Sequence, residues 1–372
     1  MTAFLHIVRF VLPTLFFGYG IAANLAVLMG PPPEYALPDD GLLSGGLTRD
    51  IDGLYKEKLP HMDLSYGLIG AARYALLQEA RSGAVVGKDG WLFSSEEARA
   101  VPSDASVAEI VDTVLTVQQR LRAAGTDLVV VPLPAKIDVY REHSPDQMFG
   151  NALATLFETF AGRLADRGIK VVNARAALAA HGPDAQMFFA TDTHWTPEGA
   201  ATVANAVAGS NMLAQGDLRF ARADVEEKAL TGDLIRFVTT STLAARVGLP
   251  SETFVPIVQT PLDVAGDIFG AAAADIVLIG TSYSANSDWG FADALMLALG
   301  RDVLSMAEQG KGPLQPMQDY LNSAGFKDAP PKVVIWEIPV RFLTDPAIWP
   351  GPALSGDAKI ANLRPSEENP DG

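Results

Sequence analysis

Leu128-Val129-Val130-Val131-Pro132-Leu133 is a continuous apolar run of strand length, with no polar residue to turn toward water on either face. A strand written this way is buried on both sides, as in a parallel sheet covered by helices. The neighbouring segments agree. Residues 105–124 carry apolar side chains at helical spacing and stop at Gly125, and a second helix is expected at about 151–167. A shorter apolar strand follows at 169–172, and Ile276-Val277-Leu278-Ile279 and the run at 333–338 read as further buried strands. Upstream, 66–82 reads as a helix ending at Gly83. The segment 85–93 reads as a β-hairpin, because Lys88-Asp89-Gly90 between apolar runs is turn chemistry. The stretch 210–265 is less regular and reads as an insertion, and no internal repeat is visible. The expected fold class is α/β, a doubly wound parallel sheet.

Composition narrows the function. Of 372 residues, 48% are apolar and 19% charged, enough for a large core and unlike a disordered tail. Lys plus Arg is 28 against 44 Asp plus Glu, a net charge of −16. That balance argues against general nucleic-acid binding and against adhesion to anionic lipid through charge. There is no cysteine, which excludes a disulfide scaffold, thiol catalysis and thiolate metal sites.

The N-terminus speaks to the compartment. Residues 10–29 are free of charge and follow His6 and Arg9, with Asn24 the one strongly polar side chain among them. Twenty helical residues span about 30 Å, the thickness of a hydrocarbon core. The segment reads as an uncleaved signal anchor, with a cleaved signal peptide and a buried core helix as competing readings. Arg9 places the short N-terminal flank in the cytoplasm and the acidic bulk outside. The division expected is an anchor at 1–30, a Pro-rich spacer and helical lead-in at 31–84 (Pro31, Pro32, Pro33 and Pro38 stiffen it), a catalytic domain at 85–345 and a loose tail at 346–372.

Two short segments carry the chemistry. In Thr191-Asp192-Thr193-His194-Trp195-Thr196-Pro197, Thr196 caps a helix that begins at Pro197, so Asp192 and His194 lie in the loop just before it. Two residues apart in an extended segment, they project to one side, and the carboxylate can hold the imidazole in one tautomer. In Ile279-Gly280-Thr281-Ser282-Tyr283-Ser284 a buried strand ends and a hydroxyl follows at once, where open α/β sheets bind ligands. Ser282 on such a turn can be a nucleophile, with backbone amides as oxyanion donors. Ser282, His194 and Asp192 then form a nucleophile, base and orienter. The plain alternatives are a capped turn with a surface histidine and a hydroxyl turn that merely ends a strand. Of the five histidines, only His194 has a well-placed acid, and no third ligand or His-x-x-x-His spacing supports a metal centre. Ser284 is an alternative nucleophile. Lys136 reads as an exposed lysine or a binder of a ligand carboxylate. Trp195 reads as core packing or an aromatic platform for a ligand, and Tyr283 is ambiguous in the same way. Arg341 reads as an oxyanion donor, a binder of a ligand carboxylate or a partner of Glu337 or an Asp, and Asn286 as an organiser of the turn.

The two segments together resemble the alginate O-acetyltransferase family of SGNH-hydrolase-like proteins, of AlgJ/AlgX type. Gly87-Lys88-Asp89-Gly90-Trp91-Leu92-Phe93, Pro132-Leu133-Pro134-Ala135-Lys136 with Tyr140, and Trp336-Glu337-Ile338-Pro339-Val340-Arg341 carry the resemblance further, from about residue 85 to 343. Within the family the chain resembles the AlgJ-like branch more, and no appended carbohydrate-binding module is expected. The resemblance implies an SGNH-hydrolase-like sheet with a permuted triad, Asp192, His194 and then Ser282. It implies an O-acetyltransferase that passes acetyl from an acetyl-serine to a sugar hydroxyl of an exopolysaccharide in the periplasm, with no cofactor. The implied partners are the polysaccharide, a membrane-bound O-acyltransferase that brings acetyl across the membrane, and other exopolysaccharide-export proteins. The Gly-x-Asn-Asp block of ordinary SGNH enzymes is not found, so the second oxyanion donor falls to the amides of Ser282 or Tyr283 or to Arg341. An acetylesterase with the same triad and a non-catalytic export subunit are the alternatives. The charge of −16 opposes a polyanionic polymer unless basic side chains gather locally.

Overall fold

The structure, a computed structural model, describes residues 2–29, 46–180, 182, 185–262 and 275–349. Three helices lead in, α1 (Thr2–Met29), α2 (Gly46–Lys58) and α3 (Met62–Leu77), followed by a hairpin of β1 (Ala84–Val86) and β2 (Leu92–Ser94). Next come α4 (Asp104–Ala123), β3 (Asp127–Leu133), the short α5 (Lys136–Val139), α6 (Gln147–Asp166), β4 (Lys170–Val171), α7 (Ala174–Ala179) and α8 (Pro197–Gly209). A run of short pieces follows: β5 (Phe220–Arg222), β6 (Lys228–Leu230), α9 (Ser241–Ala244), β7 (Glu252–Phe254) and β8 (Gln259–Pro261). The chain then forms β9 (Ile276–Ile279), α10 (Ser282–Ala285), α11 (Phe291–Leu299), β10 (Val303–Ser305), α12 (Leu314–Asn322), α13 (Ala324–Asp328) and β11 (Val333–Pro339).

The apolar runs pair as their composition requires. β10, β9, β11, β3 and β4 lie side by side in that order, and every pairing is parallel. The last strand occupies the middle. β11 pairs with β3 from Val333↔Asp127 to Pro339↔Leu133 and with β9 from Val333↔Ile276 to Trp336↔Ile279. Every residue of β11 and β9 is buried. The connections to β4 and to β10 leave in opposite directions from this centre. The carboxyl ends of β3, β9 and β11 therefore open together, where a doubly wound sheet places its ligand crevice. The chain thus has the parallel α/β sheet that its apolar strands imply.

Local differences from the sequence reading have local causes. The helix expected at 66–82 runs from Met62 to Leu77, because Gln78 takes the left-handed conformation (φ 55°) and its amide returns to the Tyr74 carbonyl. Its inner face, Gly67, Gly70 and Tyr74, packs on residues 238–243, and a Cβ on Gly70 would overlap the Val238 carbonyl. The strand expected at 169–172 shortens to Lys170–Val171. The stretch 210–265 forms two antiparallel ribbons, β5 with β8 and β6 with β7. Leu234, Ile235, Val238 and Leu249 from it share a second core with Tyr74, Val86 and Leu92. The Pro-rich spacer through residue 45, residues 263–265 and the tail from 350 lie outside the described residues. From Arg9 to Met29, α1 is long and apolar enough to cross a membrane and is almost unburied in the protein.

Candidate active site

Ser282 sits at the carboxyl end of the sheet because β9 stops at Ile279 and the chain turns at once into α10. Thr281 caps that turn and its carbonyl accepts the amides of Ser284 and Ala285. Beneath it lies the buried carboxylate of Glu337 from β11. Glu337 accepts the Thr281 amide (2.7 Å), the Thr281 hydroxyl (3.1 Å to the same oxygen) and the Ser284 hydroxyl (3.0 Å). A Cβ on Gly280 would lie 2.5 Å from Glu337 Oε2 and 2.8 Å from Ser284 Oγ, so only glycine lets the strand end approach this carboxylate.

The imidazole comes from the loop before α8. His194 Nε2 lies 2.8 Å from Ser282 Oγ, and Nδ1 lies 2.7 Å from Asp192 Oδ1. Asp192 Oδ1 also accepts the His194 amide (2.9 Å), and its Oδ2 accepts the Asp233 amide (2.8 Å). Asp192 is buried, His194 mostly so, and Ser282 half-buried, so the open end of the chain of hydrogen bonds is the hydroxyl.

The loop backbone is pinned by polarity. Glu252 accepts the amides of Ala190 (2.8 Å) and Thr191 (2.9 Å), and Asp233 accepts the amide of Thr193 (2.8 Å). The outward carbonyls meet donors instead. Lys136 Nζ donates to Ala190 and Asp192, and the Tyr283 hydroxyl donates to Thr193 (2.8 Å). The imidazole packs between the rings of Tyr283 (5.0 Å) and Trp289 (5.7 Å, 30° between planes).

Burial and charge set the protonation states. Burial pushes Asp192 up, but the hydrogen bonds and charge of His194 and the two amides outweigh it and hold the carboxyl below its ordinary value. Asp233 is raised, by burial and then by the Asp192 charge. Burial lifts Glu337 to about 7, against the opposing hydrogen bonds of Thr281 and Ser284. A carboxyl raised in the folded state binds more protons there than when unfolded, so stability falls as pH rises from its ordinary 4.5 to about 7. Glu97, also raised by burial, adds the same sign. Glu337→Gln keeps an acceptor for the Thr281 amide and is expected to flatten that slope. Chemical denaturation across the window checks it, and an unchanged slope would assign the titration elsewhere.

The residues singled out in the sequence divide. Asp192, His194 and Ser282 come together. Trp195 does not serve as a sugar platform: it is fully buried, its indole N–H donates to the Tyr283 carbonyl (3.1 Å) and its ring packs on Phe291. Lys136 is neither exposed nor free for a sugar carboxylate, because its ammonium is buried among backbone carbonyls. Ser284 is no alternative nucleophile, since its hydroxyl is buried on Glu337. Arg341 pairs with Glu96 (3.3 Å) and lies over the Tyr283 ring (5.4 Å), and no ion pair joins it to Glu337 among the described residues. Tyr283 is buried beneath the imidazole and its amide is taken by Thr281 Oγ1 (3.4 Å), whereas the Ser282 amide has no acceptor among the described residues. Asn286 orders the turn by accepting the Asp288 amide (2.9 Å).

The sequence does not single out Asp233, Glu252 or Trp289, and it offers Glu337 only as a partner for Arg341. The only signal in their favour is an isolated acid or aromatic in a loop or strand, which is common without function. Asp233 also supplies the third ligand that a metal centre would need, within 4.8 Å of Asp192 and His194. Its Oδ1 and both Asp192 oxygens already accept hydrogen bonds, and a cation there would displace the Asp192–His194 contact. The arrangement is suited to moving a proton between Ser282 and His194. A cavity of about 500 Å³ opens behind the loop, between Phe189, Arg222, Glu252 and Phe254, and neither Ser282 nor His194 lines it.

Comparison with known proteins places the chain in a family. Residues 84–340 match the family model described as an SGNH hydrolase-like domain, acetyltransferase AlgX. The chain is 36% identical over 313 residues to the "Probable alginate O-acetylase AlgJ" of Pseudomonas fluorescens, covering 82% of this chain and 79% of the relative. It is 34% identical over 331 residues to the protein of the same name from Pseudomonas aeruginosa, covering 85% and 84%. Among solved structures, the O-acetyltransferase domain of Pseudomonas putida AlgJ superposes with a TM-score of 0.62 at 32% identity, over 71% of this chain and 93% of that one.

Proposed function

The chain belongs to the family of SGNH hydrolase-like acetyltransferases described by AlgX, and from that premise we propose that it O-acetylates alginate or a closely similar exopolysaccharide through an acetyl-serine at Ser282. It is an acetyltransferase by membership. The observation that carries the mechanism is the continuous path Asp192 Oδ1–His194 Nδ1 and His194 Nε2–Ser282 Oγ at the end of β9.

In the first half-reaction His194 Nε2 takes the hydroxyl proton as Ser282 Oγ bonds to the acetyl carbonyl carbon. The imidazolium that forms is stabilised by the ionised Asp192, whose low proton affinity keeps the proton on the ring. The Ser282 amide faces the developing oxyanion. Collapse expels the donor's leaving group, which takes the proton from His194. In the second half a sugar hydroxyl gives its proton to His194 and attacks the acetyl-serine, and Ser282 leaves with that proton. Transfer rather than hydrolysis requires that a positioned sugar hydroxyl outcompete water.

The names of the relatives support a sugar acceptor and a polysaccharide-biosynthesis setting. The apolar α1 fits a signal anchor, and on this reading it tethers the domain at the periplasmic face of the inner membrane, beside a membrane-bound O-acyltransferase that supplies acetyl and near other export proteins.

The test uses the full chain in detergent with an activated acetyl ester and alginate oligosaccharide. Mass analysis is expected to find acetyl on the peptide bearing Ser282, then on the oligosaccharide. Release as acetate alone would make the protein an esterase, and no label on Ser282 would overturn the assignment.

A further inference from the structure

We propose that Lys136 is a positioning residue for acyl transfer: its buried ammonium gathers the backbone carbonyls of Leu92, Ala190 and Asp192 and so fixes the loop from which Asp192 and His194 project. The inference rests on the acyl-transfer reading of that site.

Lys136 follows β3 at the carboxyl edge of the sheet, as the first residue of α5, and is wholly buried. Its Nζ lies 2.5 Å from the Leu92 carbonyl, 2.9 Å from that of Ala190 and 2.9 Å from that of Asp192. An ammonium has three N–H donors, and here each has one acceptor. Two of the three acceptors belong to the histidine loop and the third to the hairpin strand β2. The Leu92 amide in turn donates to the Ala190 carbonyl (2.9 Å), so hairpin and loop are tied twice at the same point. The rings of Trp91 and Phe93 each stand 5.2 Å from the cation and close the site to water.

No carboxylate touches this ammonium among the described residues. The acids that face it, Glu97 from the segment after β2, Asp192 from the loop, Asp233 and Glu252 from the ribbon region, act through space. A buried cation held by carbonyls alone is a costly way to stabilise a fold. It is a direct way to hold carbonyl orientation. The peptide planes around Asp192 set where its side chain meets His194, and a displacement of about 1 Å there costs about 10²-fold in rate.

The device is sensitive to pH. Burial lowers Lys136 to about 8, with Glu97, Glu252, Asp192 and Asp233 opposing. The neutral amine keeps two N–H donors and gains a lone pair, so one carbonyl loses its partner. Acetylation of Ser282 is therefore expected to decline as pH rises through about 8.

The full chain in detergent, with an activated acetyl ester, gives kcat, KM and the pH profile of Ser282 acetylation. Lys136→Met is expected to lower kcat about 10- to 100-fold with little change in KM. In Lys136→Cys, alkylation with 2-bromoethylamine in denaturant, before refolding into detergent, rebuilds a lysine-like side chain with a less basic amine, at the one cysteine that variant has. That protein is expected to recover most of kcat and to lose activity at lower pH than the unaltered chain. A folded Lys136→Met variant with unaltered kcat and profile would overturn the proposal. If Lys136→Met does not fold, the alkylated protein decides, because an alkaline limb that stays in place also overturns it. Unaltered chain that takes no acetyl on Ser282 would instead sink the acyl-transfer reading, a result separate from either of these.

Discussion

Ser282→Ala is expected to lower acetyl transfer by at least about 10³-fold, to the level that binding and oxyanion contacts alone sustain. No neighbouring hydroxyl can stand in. Ser284 Oγ is buried and donates to Glu337, and Thr281 Oγ1 donates to the same carboxylate while capping the turn. Among the described residues only Ser282 Oγ lies against the imidazole, at 2.8 Å. The turn itself should survive, because its capping bonds come from Thr281 and Glu337 and not from the Ser282 side chain. Rate measurement with an activated acetyl ester, beside an unfolding midpoint, checks both halves. A variant that keeps more than about a tenth of the activity would remove Ser282 from the nucleophile role.

Asp192→Asn is expected to cost nearly as much, about 10³- to 10⁴-fold, as loss of the orienting carboxylate does in serine enzymes of this design. The carboxylate accepts on both sides, from His194 N and Nδ1 at Oδ1 and from the Asp233 amide at Oδ2. An amide has one accepting oxygen and one donating nitrogen. With its oxygen toward His194, its NH₂ meets the Asp233 N–H, two donors face to face. With its NH₂ toward His194, it faces the His194 backbone N–H and Nδ1 must be the bare nitrogen, so Nε2 carries the proton and cannot take another from Ser282. Either arrangement costs about 1–3 kcal/mol of stability, and the second also costs the base. The ionised state of Asp192 is held below the ordinary carboxylate range, so its contribution is present at neutral pH and lost only as pH falls through that lowered value. Activity equal to that of the unaltered chain at neutral pH would exclude Asp192 as the orienter.

The parts of the site that could be read along the chain are those whose chemistry is local. Thr196-Pro197 announces a helix start, which structure and sequence share at Pro197. An acid and an imidazole two residues apart need only an extended loop to face one way. A strand that ends in Gly280-Thr281-Ser282 needs only the sheet above it. Trp195 and Lys136 carried no such constraint. An indole or an ammonium after a strand or loop is equally at home in water, in a crevice or in a core, and both turned out to be buried.

The supporting shell was illegible for a different reason. Asp233 and Glu252 reach Thr193, Thr191 and Ala190 across 40 to 62 residues, out of a stretch with no periodicity. Glu337 reaches Thr281 across 56 residues, from a strand otherwise written in apolar letters. A carboxylate in a polar loop has the same local sequence whether it solvates a surface or clamps a backbone amide.

Apolar periodicity and two short polar segments were enough to specify a parallel α/β sheet, its exposed strand ends, and the three side chains proposed for proton transfer, because each depends on neighbours a few residues away. Which carboxylates hold the loop, where the lysine is buried, and what Arg341 and Trp195 touch were decided only when β11 inserted between β9 and β3 and the ribbon region folded over the strand ends. Those contacts join residues far apart in sequence, and their strength comes from removing paired polar groups from water together, which no single segment encodes.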